Sequence, residues 1–309
     1  MSSDALKVVN KHLRKIARRA LNPLGDIETK RALVDEYGAA HPSILEVIAK
    51  VTPVSFDQFQ GEWVIADGSD PDRRILYIHG GSWMAGRVEK YRPHTARIAA
   101  ATGCTVLAID YRLAPENPFP NGLEDCVTAY EWMRLNGPEK NNIASSAFII
   151  GDSAGGNLTL ATLLALKDKQ IALPDAAIAL SAVTDMSWSA HSIKTNAKVD
   201  VALNAKLMPL ISYGYLQDKA DPKTPYVSPI FGDLHGLPPL LLQVGATEIL
   251  LDDSIHFAEK AEAAGVDATL EVYPDMPHVF QAFAPYLPDA NQALLSIGNF
   301  IKRHFSIQA

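Results

Sequence analysis

The chain has 309 residues, 48% hydrophobic and 20% charged, with a formal net charge of −7. This ordinary globular composition suffices for one large α/β domain with an attached lid, or for two domains. The acidic balance argues against nucleic acid as the main partner, because phosphate binding needs a basic face.

Residues 4 to 21 form the first periodic segment. Val9, Leu13, Ile16 and Ala20 recur at helical spacing, and Lys7, Lys11, Arg14, Lys15, Arg18 and Arg19 occupy the other face. Such a helix can lie on an anionic membrane, but this apolar stripe is narrow and lacks Trp or Phe anchors. The expectation is therefore packing on the protein with solvated charges. Two further short helical patterns in 26–49 are broken by Gly38 and Pro42.

From residue 51 the texture becomes β-rich. Strands are expected at 54–59, 62–67, 74–79, 104–110, 147–151, 176–182, 239–245 and 268–274. From the third onward these runs are almost continuously apolar and alternate with helical stretches at 121–136, 154–168, 252–264 and 289–305. Buried parallel strands have this pattern, because helices cover both faces of the sheet. The first two alternate more and suit an antiparallel edge. Between 183 and 238 the alternation fails; a helical piece near 203–217 sits in a segment too long for an ordinary connection. The expected organisation is a helical cap from 1–50 and 183–238 over a catalytic domain of 51–182 and 239–309.

Four places carry chemistry. Ser153 stands between Gly151 and Gly155 where a strand turns into a helix. That turn lifts its hydroxyl above the carboxyl end of the sheet and points the Ala154 N–H beside it, at a helix N-terminus. Directly after the strand RILYI (74–78) comes HGGSW (79–83), whose Gly80 and Gly81 N–H groups are free to face the same point as oxyanion donors. His79 reads as a turn-holding hydrogen-bonder. His278 lies in a loop past the last strand, in reach of Ser153 as general base. The third member is a carboxylate after PLLLQVG: Glu248 is preferred, Asp252 is the alternative, and Asp252 and Asp253 suit the first turn of the next helix. Asp110 and Arg112 read as a structural ion pair or turn support between Pro115, Pro118 and Pro120 and the sheet. Trp83, Met84, Trp188 and His191 are candidate pocket lining, and each could equally be core.

The segments HGGSW (79–83), DYRLAPENPFP (110–120), GDSAGG (151–156) and MPHVF (276–280) resemble, in order and spacing over roughly 60–305, the hormone-sensitive-lipase-like esterases of the α/β-hydrolase superfamily. The resemblance implies an α/β-hydrolase fold with a mostly parallel eight-stranded sheet, helices on both faces and a helical cap. It implies hydrolysis of small-molecule carboxylic esters by Ser153, His278 and an acid, with Gly80, Gly81 and Ala154 as oxyanion donors, no cofactor and no metal. A homodimer through an edge strand is common among bacterial members. Two departures stand out: Ser82 replaces the third glycine of HGGG, and Glu248 stands where the family's acid is usually the first Asp of D-x-L-x-D.

Short- to medium-chain acyl esters are the expected substrates. Rival readings are an arylformamidase-type amide hydrolase, whose oxyanion motif also starts HGG, and a ligand-binding homologue such as the plant gibberellin receptors, which lack the histidine kept here as His278. A chymotrypsin-like reading of GDSAGG fails on chain order. Cys104 and Cys126 form neither a CxxC pair nor a zinc spacing and read as small buried hydrophobes. No early apolar run suits a signal peptide and none spans a bilayer, so the expectation is a cytoplasmic protein without a stable membrane anchor.

Overall fold

The structure, a computed structural model, describes residues 3–21 and 26–305. Eight strands form one sheet: β1 (Lys50–Ser55), β2 (Gln60–Ile65), β3 (Asp70–Ile78), β4 (Cys104–Asp110), β5 (Ser146–Asp152), β6 (Ala176–Leu180), β7 (Leu240–Gly245) and β8 (Ala268–Tyr273). Their order is β1-β2-β4-β3-β5-β6-β7-β8, parallel from β4 to β8, with β2 antiparallel to both neighbours. This is the α/β-hydrolase fold expected from the sequence, including its antiparallel edge.

The continuous apolar runs have a simple cause. Alternate residues of one strand enter two cores, one on each face. Leu76 and Ile78 of β3, with Leu107 and Ile109 of β4, pack beneath α4 (Asn121–Leu135), α5 (Ala154–Asp168) and α8 (Leu251–Ala263). Ile75 and Tyr77, with Val106 and Ala108, face α3 (Val88–Thr102) and α9 (Pro288–Arg303). A half-exposed sheet would need polar residues at every second position; this one does not. Cys104 and Cys126 are buried within these cores.

α1 (Asp4–Ala20) buries Leu6, Val9, Leu13 and Ile16 on the protein and leaves its basic face exposed, as its stripe indicated. α2 (Ile27–Asp35) follows, capped by the Asp26 side chain on the Thr29 N–H. The 183–238 insertion carries a short α6 (Ser192–Thr195) and α7 (Met208–Leu216).

Three expectations are corrected. The first strand ends at Ser55 rather than 59, because residues 56–59 form the turn closed by Phe56 N–H on the Phe59 carbonyl, 3.0 Å. α3 went unread: Pro93 lies inside it, and its buried face mixes Ala, Thr and His, which blurs the apolar period. Of the two readings of Asp110 and Arg112, the ion pair fails and structural support holds. Asp110 accepts the Val88 N–H at the start of α3, 2.7 Å, whereas Arg112 binds Asp125, with Nη2 to Oδ1 at 2.7 Å.

One close approach fixes the helix after β5. A Cβ on Gly155 would overlap the carbonyl oxygens of Ile78 and His79, so α5 meets β3 only because residue 155 has no side chain. Gly155→Val is expected to destabilise the fold by about 3 kcal/mol. Thermal melting by circular dichroism checks this: an unchanged midpoint would mean that α5 does not depend on this contact.

Candidate active site

Ser153 occupies the single residue between β5 and α5, at φ 52° and ψ −117°. Few L-residues adopt this backbone, and it persists only where surrounding bonds hold it. The Ser153 N–H donates to the Leu180 carbonyl at the end of β6, 2.8 Å, and its carbonyl accepts the Asn157 N–H, 3.0 Å. The hydroxyl thus stands at the carboxyl edge of the sheet with the first turn of α5 behind it.

Three strand ends supply its partners. Ser153 Oγ lies 2.9 Å from His278 Nε2, and His278 Nδ1 lies 2.7 Å from Glu248 Oε2. Glu248 is fully buried and its other oxygen, Oε1, accepts the Ser181 hydroxyl at 2.7 Å and the Gly245 N–H at 2.5 Å. Ser181 Oγ also accepts the Val279 N–H, 3.1 Å, so one hydroxyl joins the acid loop to the histidine loop. Tyr37, just past α2, donates its hydroxyl to the His278 carbonyl. Burial alone would lower the His278 pKa. The charge and hydrogen bond of Glu248 outweigh it and raise the pKa above 6.5, with Asp200 and Asp152 adding to the effect.

Of the two candidate acids, the structure brings Glu248 to the histidine. Asp252 instead accepts the Ser192 N–H, 2.7 Å, and Asp253 accepts the N–H groups of Thr184 and Asp185 at 2.7 and 3.0 Å. Both lie in the first turn of α8 as expected, but they hold the insertion rather than cap their own helix. Burial pushes the Asp253 carboxyl up to about 7.

The HGGS turn differs from expectation at one donor. The Gly80 N–H is taken by Asp152 Oδ1, 3.1 Å, which also accepts the Tyr77 hydroxyl at 2.6 Å. Gly80 is therefore an anchor for the loop and not a free donor. Gly81, at φ 122°, folds the chain back so that its carbonyl accepts the N–H groups of Met84 and Ala85 at 3.1 and 3.0 Å. Gly81 and Ser82 border the cavity over Ser153, and Ala154 opens α5 beside it. His79 holds the turn as expected: Nδ1 meets the Gly80 carbonyl at 2.7 Å, and the ring stacks on Tyr111 at 4.5 Å.

Above Ser153 and His278 opens a largely apolar cavity of about 380 Å³. Leu13 and Ile16 of α1, Leu33 of α2, Met208 and Ile211 of α7, and Met84 contribute to its wall. Met84 is where the sequence indicated. The other three candidates are elsewhere. Trp83 is buried under the wall, stacked on Tyr215 at 4.7 Å. Trp188 packs on the core and donates Nε1 to Ser212, 2.8 Å, and His191 is exposed at the start of α6. Ser181, Asp152 and Tyr37 escaped the sequence reading. Ser181 was detectable in principle, since it directly follows the strand between those of Ser153 and Glu248. Tyr37 was not, because no pattern ties it to residue 278. Among the described residues, no group of three or more His, Cys, Asp or Glu is placed to hold a metal ion.

Comparison with known proteins agrees with this fold. Residues 75–282 match the family model described as the alpha/beta hydrolase fold. An esterase of Acinetobacter venetianus is 37% identical over 251 residues, 81% of each chain. An acetyl-hydrolase of Streptomyces hygroscopicus is 34% identical over 278 residues, 90% of each. The crystal structure of an esterase from the bacterial hormone-sensitive lipase family is 40% identical and superposes with a TM-score of 0.90 over 99% of both chains.

A general base works only when neutral, so activity is lost as pH falls through its pKa. Because the His278 pKa is raised, the acid limb of kcat/KM is expected above pH 6.5, and a limb at or below that value would contradict the geometry. Ser181→Ala removes a hydrogen bond to a buried carboxylate and is expected to lower kcat about tenfold on a short ester. Steady-state rates beside a thermal melt check that the loss is catalytic rather than a loss of folded protein.

Proposed function

The chain belongs to the hormone-sensitive-lipase-like family of the α/β-hydrolase superfamily and is a carboxylic ester hydrolase, and from that premise we propose that it cleaves short- to medium-chain acyl esters through a Ser153–His278–Glu248 triad and a covalent acyl-enzyme. The observation that carries this reading is the unbroken chain of hydrogen bonds from Ser153 Oγ through His278 to a fully buried Glu248.

In this mechanism Ser153 Oγ attacks the ester carbonyl carbon while His278 Nε2 takes its proton. Glu248 stabilises the imidazolium that results and fixes Nδ1 as the protonated nitrogen. The oxyanion meets the N–H groups of Gly81 and Ala154. The Ser82 N–H takes the place first expected for Gly80, which is spent on Asp152. His278 then protonates the leaving alkoxide. Water, activated by the same imidazole, attacks the acyl carbon and releases the acid and free Ser153.

Size supports the substrate class. A cavity of about 380 Å³ with apolar walls suits a chain of several carbons and is at the small end for ligand sites. In this reading the first fifty residues and the 183–238 insertion act as the cap that walls the cavity. A homodimer through an edge strand and a cytoplasmic location belong to the same proposal. Among the described residues, β8 pairs only with β7 and is the edge strand of the sheet. Cys104 and Cys126 are free thiols.

Initial rates on p-nitrophenyl acetate, butyrate, octanoate and palmitate test the proposal. Activity is expected to peak at the shorter chains and to fall at least a thousandfold, roughly, in Ser153→Ala. Undiminished activity in that variant, or a peak at palmitate, would overturn it.

A further inference from the structure

The insertion does more than wall the cavity. Asp200 lies in the loop between α6 and α7. Its Oδ1 accepts the N–H groups of Ala202 and Leu203, both at 2.9 Å, and these two residues border the cavity. Its Oδ2 accepts the N–H of Ile249 at 2.8 Å. Asn196, four residues earlier, donates Nδ2 to the Glu248 carbonyl at 2.8 Å and to the Ala246 carbonyl at 3.1 Å. The Glu248 carbonyl and the Ile249 N–H are the two edges of one peptide group. The insertion therefore grips that peptide on both sides, and its orientation sets the direction in which the Glu248 side chain leaves the backbone.

We propose that Asp200 is a positioning residue that couples the cavity wall to the triad acid, one carboxylate oxygen shaping the wall at Ala202 and Leu203 and the other holding the peptide that carries Glu248. The proposal rests on Glu248 being the triad acid. A carboxylate suits the task because both oxygens accept, whereas an amide has a single acceptor oxygen. Asp200 also faces the histidine. The charged groups directed at His278 are Glu248 on the β7 loop, Asp200 on the insertion and Asp152 beside the nucleophile, and Tyr37 meets its carbonyl.

Asp200→Asn separates this role from simple structural support. Three changes are expected together. kcat on p-nitrophenyl butyrate falls about tenfold. KM rises more for the octanoate than for the acetate ester, because the wall loosens. The acid limb of kcat/KM moves to lower pH, because one negative charge facing the imidazolium is gone. A change in KM alone, with kcat and the acid limb as in the wild type, would reduce Asp200 to a wall residue and overturn the coupling; a change in kcat alone would do the same from the other side. Asn196→Ala is the second variant, for use whether or not Asp200→Asn folds. It removes the grip on the carbonyl edge and leaves the wall bonds, so kcat should fall with the octanoate KM unchanged. Wild-type kcat in Asn196→Ala would also overturn the proposal. Failure of the underlying assignment is distinguishable, since Glu248→Gln would then keep the wild-type kcat while Asp252→Asn lost it.

Discussion

The Glu248 carboxylate is held at three points, and each belongs to a different strand end. Gly245 closes β7, Ser181 follows β6, and His278 lies beyond β8. A carboxylate with no exposed surface is costly unless hydrogen bonds and an opposite charge answer it. Here two donors satisfy Oε1 permanently, and Oε2 is left for the imidazole. That division keeps the acid directional while the histidine cycles between neutral and charged forms. The parallel order β5-β6-β7-β8 is what brings these donors to one edge, so the sheet and the chemistry share one constraint.

Glutamate in place of the shorter acid needs such a hold. Its extra methylene adds a torsion, and an acid free to rotate would not keep the imidazole in one orientation. Ser181 limits that freedom from the front, while Asn196 and Asp200 limit it from the backbone side. Tyr37 acts similarly on the histidine loop through the His278 carbonyl. The N-terminal segment and the insertion therefore reach past the cavity they wall and touch both loops that carry the base and its acid. Asp152 makes a comparable tie beside Ser153, accepting the Gly80 N–H and the Tyr77 hydroxyl.

Much of this was legible from residues alone, for physical reasons. Strands buried on both faces announce themselves by unbroken apolar runs, and Gly151, Ser153 and Gly155 mark a turn that few other functions require. Chain order pointed to His278 and left Glu248 or Asp252 as its acid. What failed was of a different kind. α3 hid behind Pro93 and a face of small residues. Gly80 was misread as a donor because a sequence does not tell which N–H an adjacent carboxylate will take. Residue type alone leaves Trp83, Trp188 and His191 as pocket lining or core; packing buries Trp83 in the core, sets Trp188 half-buried against it and leaves His191 at the surface. Asp200 and Tyr37 act through contacts between segments distant in sequence, where local pattern carries no signal.

The account turns on which carboxylate the histidine faces. The proton on His278 Nδ1 reports it directly, as a strongly deshielded imidazole resonance in the proton NMR spectrum of the folded enzyme. The wild type and Asp252→Asn should both show that resonance, and Glu248→Gln should lose it. Its survival in Glu248→Gln, or its loss in Asp252→Asn alone, would contradict the arrangement described.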